Sequence, residues 1–361
     1  MSIKQTKDFF YTKLAYQQGE INLGSTGNNP SVGAIVVKNN SVISSGYTSL
    51  KGRPHAESNV LKNNLNYKNS DLYVTLEPCS HYGKTPPCTK KIISKKIKRV
   101  IFSINDIDPR SKNLASRELQ KKKINVKKFI LKDFAKIFYK SYFSQHLKKL
   151  PFIDGKLAVS KDFLTINKTR RWVTNEQSRK LANFLRSKYD CLLTTSKTVN
   201  ADNPILNCRI EGLEKKSPDL IILDRLFKIK KNSILFRKNK GRIYILTNVN
   251  NSVKENFFKR INVKVVKLKK TSNNKNELSN LFYEIKKMGF NRILVESGLT
   301  FLDKLIKHNL IKNFYLFKSS SALGTSGLNN FNPLRLKKIN ISKKNKIKVN
   351  LEGDSLYKIK I

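Results

Sequence analysis

The sequence predicts an α/β chain of two unrelated domains, and three observations carry that expectation. Its 361 residues exceed the roughly 150 of one typical domain. Short apolar runs alternate with helix-like stretches in both halves, a βαβ rhythm that implies a layered architecture with a largely parallel sheet. The halves share no motif, and no repeat of fixed period joins them.

In the first half the elements run SVISSGY, HAESNVLKN, DLYVTLEP, TKKIISKK, RVIFSI, ASRELQKKK and INVKKFIL, between Asn40 and Lys128. A helix over Phe134 to Leu147 closes this unit. Pro151 then opens a fresh strand, PFIDGKLAV, which places the boundary near Lys148 to Leu150. NEQSRKLANFLRSK follows as a helix with Thr174 as its N-cap, and then the strand YDCLLTT. DLIILD, RIYILT, VKVVKL and RILVES are four further β-rich runs. The lysine-rich tail from Leu336 carries no functional signal.

Apolar residues at 39% and aromatics at 9% exclude global disorder. No stretch approaches the roughly 18 uninterrupted apolar residues of a membrane span. MSIKQTKDFF lacks the charged-then-apolar pattern of a signal peptide, so a cytoplasmic protein without membrane attachment is expected. Four cysteines in a chain of this length suit a reducing compartment and a metal site better than a disulfide framework. The net charge of +48 would ordinarily suggest nucleic acid. Here the lysines are spread over the whole length among many asparagines and isoleucines while glycine is scarce, a skew that matches AT-rich coding. No specific nucleic-acid partner is expected.

The sharpest signal is RPHAES followed by TLEPCSHYGKTPPC. His55, Cys79 and Cys88 supply three ligands and leave one position open, the arrangement of a catalytic zinc. A His-x-Glu opening one helix and a Pro-Cys leading into another, each after a strand, is the signature of zinc deaminases. Zinc there lowers the pKa of water toward neutrality for attack on a ring carbon bearing an amine. Glu57, not itself a ligand, has the general acid and base role. Nucleoside and nucleic-acid deaminases carry two residues between their cysteines; here there are eight, SHYGKTPP.

That insertion, with NNPSVGAIVVKNNSVISSGYTSLKGRPHAE upstream and DPR at Asp108 to Arg110 downstream, resembles the bifunctional riboflavin-biosynthesis deaminase/reductases. The resemblance implies a zinc cytidine-deaminase-like α/β/α domain over residues 1–148 and a dihydrofolate-reductase-like α/β domain over 149–361. It further implies that Asn29 contacts the pyrimidine, that His81, Lys84 and Thr85 line the substrate pocket, and that Asp108 holds the ribose or its phosphate. Where the family has a Gly-Lys-Gly type turn after the aspartate, this chain has Ser111-Lys112-Asn113.

In the second half KLAVSKD, RWVT, LR at Leu185-Arg186, TVNADNPILNCR, LIILD and LVESG occur in the order of the family's reductase domain. The resemblance places Lys156, Arg186, Leu206, Arg209 and Glu296 around the phosphorylated substrate. It places Ala158, Trp172, Thr198, Asp202 and the helix start at Gly298, Leu299 and Thr300 around NADPH. Arginine forks suit a phosphate, and a helix N-terminus suits a cofactor phosphate. Several family glycines are replaced, at Thr195-Ser196-Lys197, at Phe163 and at Ser297, and a family serine is Arg170. Either the losses weaken NADPH binding or they fall at tolerant positions.

The expected function is therefore hydrolytic deamination of a diamino-ribosylamino-pyrimidinone phosphate, then NADPH reduction of ribosyl to ribityl, with one zinc per chain. The alternatives are a deaminase with a non-catalytic second domain, and a basic nucleic-acid-associated zinc deaminase. The oligomeric state, monomer or homo-oligomer, is not encoded in these signals.

Overall fold

The structure is a computed structural model that describes residues 3–62, 64–147, 150–239, 241–268, 274–329 and 342–361. The chain divides into two compact units, Met1–Lys149 and Leu150–Ile361. Among the described residues no helix is long and apolar enough to cross a membrane.

The first unit runs α1 (Ile3–Glu20), β1 (Gly33–Lys38), β2 (Ser41–Tyr47), α2 (Ala56–Val60), β3 (Asp71–Val74), α3 (Cys88–Ser94), β4 (Arg99–Phe102), α4 (Leu114–Lys121), β5 (Asn125–Lys128), α5 (Lys132–Phe138) and α6 (Lys140–Leu147). Its five-stranded sheet has the order β2-β1-β3-β4-β5. Residues alternate between its faces, as a period of two requires. Ala34, Val36, Leu72, Val74, Val100 and Phe102 pack with Ala56, Val60 and Ile92, whereas Ile35, Val37, Tyr73 and Ile101 pack with Tyr11 and Ala15 of α1. Gly33 lets α1 approach, since a Cβ there would lie 1.8 Å from the Ala15 carbonyl oxygen.

The sheet corrects the largely parallel expectation in this half: β1 pairs antiparallel with both β2 and β3, and only β3-β4-β5 is parallel. The short Asn39-Asn40 turn between β1 and β2, both residues at positive φ, forces a hairpin where a crossover would have been parallel. The helix expected over Phe134 to Leu147 is two, α5 and α6, parted at the buried Tyr139.

The second unit runs β6 (Phe152–Val159), β7 (Ile166–Asn167), α7 (Glu176–Arg186), β8 (Cys191–Thr195), α8 (Ser196–Asp202), β9 (Asp219–Leu223), α9 (Leu235–Lys238), β10 (Ile243–Thr247), α10 (Ser252–Arg260), β11 (Val263–Lys267), α11 (Asn274–Lys287), β12 (Arg292–Glu296), α12 (Leu299–Lys307), β13 (Asn313–Lys318), β14 (Gly327–Leu328), β15 (Lys346–Ile347) and β16 (Ser355–Lys360). Nine strands form one sheet in the order β11-β10-β9-β8-β12-β6-β13-β16-β15. β11 through β13 are parallel and β16 returns antiparallel. Cys191, Leu193, Ile221, Ile293 and Val295 line one core and Leu192, Leu220, Ile222 and Leu294 the other. Helices therefore cover both faces, as a parallel sheet demands.

One further expectation changes here. The N-cap of α7 is Asn175, whose side chain accepts from Ser178 N, not Thr174. Asn175 wins because its own N–H is taken by Asp354 Oδ2 at 3.0 Å, which fixes the helix entry. The tail from Leu336 begins in residues 330–341, outside the described residues. Its later part is structural: β16 pairs along the whole of β13, and Asp354 also accepts from Ser178 Oγ at 2.8 Å.

Candidate active sites

In the first unit β2 ends at Tyr47, and a short turn leads to His55, the residue that caps α2. Gly52 stands in that turn at φ +87, where a Cβ would meet the Thr26 carbonyl oxygen at 2.5 Å and Asn29 Nδ2 at 2.7 Å. Cys79 follows β3, and Cys88 opens α3. Their ligand atoms lie within 4.8 Å of one another. His55 Nδ1 is 3.6 Å from Cys79 Sγ and 3.5 Å from Cys88 Sγ. A tetrahedral zinc with Zn–N of about 2.0 Å and Zn–S of about 2.3 Å sets nitrogen and sulfur ligands roughly 3.5 Å apart. The donor set therefore fits zinc in both chemistry and spacing.

The electrostatics favour a thiolate at Cys79 and a thiol at Cys88. Donation from Cys88 holds the Cys79 thiol below its ordinary range, and the same contact with burial pushes Cys88 upward. The backbone N–H of Cys88 also donates to Cys79 Sγ at 3.3 Å. Glu57, one residue into α2, is buried, and that burial pushes its carboxyl up to about 7 against the pull of His55. A carboxyl poised near neutrality can both take and return a proton.

The other residues implied for substrate border this cluster through their partners. Asn29 Nδ2 donates to Gly52 O at 2.9 Å, and Arg53 Nη1 donates to Thr85 Oγ1 at 2.6 Å, so both are tied to the turn that carries His55. His81 Nδ1 lies 2.8 Å from Ser111 Oγ. Lys84 is exposed on the insertion. Asp108 is bound by Arg110, whose Nε and backbone N both lie 3.0 Å from Oδ1, and this pairing holds its carboxyl down at about 2. Arg53 carries no sequence signal, and the sequence marks Ser111 only as part of an altered turn. Each acts on a residue some 30 positions away, and no motif joins either pair.

In the second unit the implied residues gather at the C-terminal ends of parallel strands, where ligands of open α/β sheets bind. Glu296 ends β12 and is in register with Lys156 on β6. Arg186, the last residue of α7, grips the Glu296 carboxylate with Nε at 2.7 Å and Nη2 at 3.0 Å, and Lys156 Nζ stands 3.7 Å away. Burial alone would raise Glu296, but Arg186 and Lys156 outweigh it and hold the carboxyl at about 2. For Lys156 burial wins, and its ammonium is pulled down despite Glu296.

Asn207, also missed from sequence although it lies inside TVNADNPILNCR, joins two arginines. Its carbonyl accepts from Arg186 Nη1 at 3.0 Å and its side chain from Arg209 Nη1 at 3.0 Å. Leu206 beside it is buried at φ +55, a strained backbone of the kind found at ligand sites.

Gly298 caps α12, and a Cβ on it would meet nothing within 4 Å, so space lies open before the helix N-terminus. Its N–H donates to Thr198 Oγ1 at 3.2 Å, which brings two of the implied cofactor residues together. Leu299 is buried and Thr300 exposed in the first turn of α12, and Ala158 is half-buried in β6. Trp172 is 51% exposed and is not a core aromatic; the guanidinium carbons of Arg171 and Arg179 each lie 4.9 Å from its ring. Asp202 ends α8, and burial raises its carboxyl against the pull of Arg171. An open helix N-terminus, a hydroxyl beside it and an exposed indole flanked by guanidiniums suit a dinucleotide phosphate cofactor.

At three of the positions where the resemblance implies glycine, the side chains present are accommodated. Thr195 caps α8 with its own hydroxyl, Ser196 Oγ donates to Asp224 Oδ1 at 2.8 Å, and Phe163 takes a left-handed φ of 66 while packing on the core.

Comparison with known proteins places each unit in a family. Residues 6–104 match the cytidine and deoxycytidylate deaminase zinc-binding region, and residues 152–351 match the RibD C-terminal domain. The riboflavin biosynthesis protein RibD of Aquifex aeolicus is 31% identical over 317 residues, 87% of each chain. That of Bacillus amyloliquefaciens is 30% identical over 319 residues, 87% of this chain and 85% of its own. A solved Thermotoga maritima structure, a diaminohydroxyphosphoribosylaminopyrimidine deaminase/5-amino-6-(5-phosphoribosylamino)uracil reductase, has a TM-score of 0.82 at 26% identity and covers 99% of each chain. A zinc-type deaminase unit and a reductase unit in one chain, matched over most of its length, make this protein a member of the RibD family of bifunctional deaminase/reductases of riboflavin biosynthesis.

Proposed function

We propose that the chain deaminates a diamino-ribosylamino-pyrimidinone phosphate at His55, Cys79, Cys88 and Glu57, and reduces the product's ribosyl group at Lys156, Arg186, Arg209 and Glu296. The observation that carries this is the convergence of one imidazole nitrogen and two sulfurs within 4.8 Å beside a buried carboxyl. When bound, zinc supplies the Lewis acidity that makes water a nucleophile near neutral pH. Glu57 carries one proton from the attacking water to the ring nitrogen, and a second from the newly added hydroxyl to the amine, which leaves as ammonia while the carbonyl forms. Asn29, His81, Lys84, Thr85 and Asp108 hold the pyrimidine and its ribose phosphate.

In the second unit Glu296 fixes the fork of Arg186, and Arg209 and Lys156 take the substrate phosphate together with the pocket wall at Leu206. When bound, NADPH supplies the hydride for the sugar's anomeric carbon. Ala158, Trp172, Thr198, Asp202 and the α12 start at Gly298, Leu299 and Thr300 hold the cofactor. Supplying the zinc-loaded protein with the diaminopyrimidinone phosphate tests both halves. Ammonia and a deaminated ribosyl product are expected without NADPH, and a ribityl product with it. No ammonia release removes the first assignment, and ammonia without NADPH oxidation removes the second.

A further inference from the structure

We propose that Ser111 is a positioning residue that orients His81 toward the deaminase substrate. The contact is between Ser111 Oγ and His81 Nδ1 at 2.8 Å, and Ser111 is fully buried. His81 belongs to an insertion whose next four residues, Tyr82, Gly83, Lys84 and Thr85, are all exposed. Its imidazole would otherwise be free to rotate about two side-chain bonds.

The segment that presents Ser111 is built to be rigid. A single oxygen of Glu77, Oε2, accepts from both ends of it, from Asp106 N at 3.1 Å and Asn113 N at 3.0 Å. Inside, Asp106 Oδ1 accepts from Asp108 N at 3.1 Å and from the Tyr142 hydroxyl at 2.9 Å. Ser111 N donates to Asp108 O at 2.9 Å, and Ser111 O accepts from Leu114 N at 3.0 Å. Asn113 takes the left-handed conformation, φ 63, that a glycine would adopt and that asparagine tolerates best among residues with a side chain.

The chemical consequence follows from imidazole. His81 Nδ1 is the only side-chain partner of the Ser111 hydroxyl among the described residues. A hydroxyl donating to Nδ1 leaves the ring proton on Nε2, so the pocket receives a hydrogen-bond donor of fixed direction. Such a donor suits an acceptor oxygen of the substrate.

The inference rests on the deaminase assignment of the first unit, so its test separates the two. In the full-length, zinc-loaded protein, Ser111→Ala and Ser111→Gly should raise the KM for the diaminopyrimidinone phosphate about fivefold with kcat within about twofold, the loss of one hydrogen bond made in ground and transition states alike. Zinc content should not change. With ¹⁵N-histidine, the wild-type His81 ring should show one tautomer protonated at Nε2, and both variants should show averaged ring signals. Asn113→Gly softens the same turn but keeps the hydroxyl, and should leave KM and the His81 signals alone. Unchanged KM and ring signals in Ser111→Ala, or a parallel fall of kcat and zinc content, would overturn the proposal. A wild-type enzyme that releases no ammonia would overturn the deaminase assignment, while the ring signals still decide whether Ser111 fixes His81.

Discussion

Glu296→Gln is a sharp perturbation of the second unit, because it keeps the side-chain volume, removes the charge that Arg186 and Lys156 share and sets an amide NH2 against one arm of the Arg186 fork. The folded carboxyl sits at about 2 against an ordinary 4.5. That difference corresponds to about 3 kcal/mol of stability at neutral pH, and an independent estimate from breaking one partner of a buried pair is about 3–5 kcal/mol. Because the folded value is depressed, the contribution is complete above the unfolded value near 4.5 and is lost as pH falls through about 2. Urea unfolding followed by the fluorescence of Trp172, the chain's single tryptophan and a reporter within the second unit, reads this directly. The variant should lose about 3 kcal/mol at pH 7, and the deficit should shrink by more than half by about pH 3. A loss under about 1 kcal/mol at pH 7, or a deficit that stays constant between pH 5 and pH 3, would refute the idea that Glu296 is held ionised by its two cations.

Three further outcomes are expected. Metal analysis of Cys79→Ala should show zinc lost and ammonia release abolished, and full occupancy would remove Cys79 from the ligand set. Glu57→Gln should keep zinc yet lose deamination by at least ~10²-fold, since glutamine fills the space but cannot shuttle a proton; near-normal turnover would point to another base. Arg209→Ala should raise the KM of the reductase step roughly tenfold or more with kcat little changed, the loss of a charge-assisted hydrogen bond of ~1.5–3 kcal/mol. A fall in kcat alone would place Arg209 away from the substrate phosphate.

What the sequence alone determined was carried by motifs. His55 and Glu57 lie two apart at a helix start, Cys79 and Cys88 flank one insertion, and strand runs such as DLIILD and RILVES announce themselves by composition. Residues two apart share a helix start and strand runs share one element, so spacing translates into geometry, while the deaminase signature joins His55 to cysteines 24 and 33 positions away. What only the tertiary structure decided depends on strand order and register. The β1–β2 hairpin turns half of the first sheet antiparallel, and β16 brings Asp354 to cap the entry to α7. Arg186 meets Glu296 across 110 positions, and Ser111 meets His81 across 30. No local pattern encodes such pairs, because they form only once the sheet has placed its strand ends side by side.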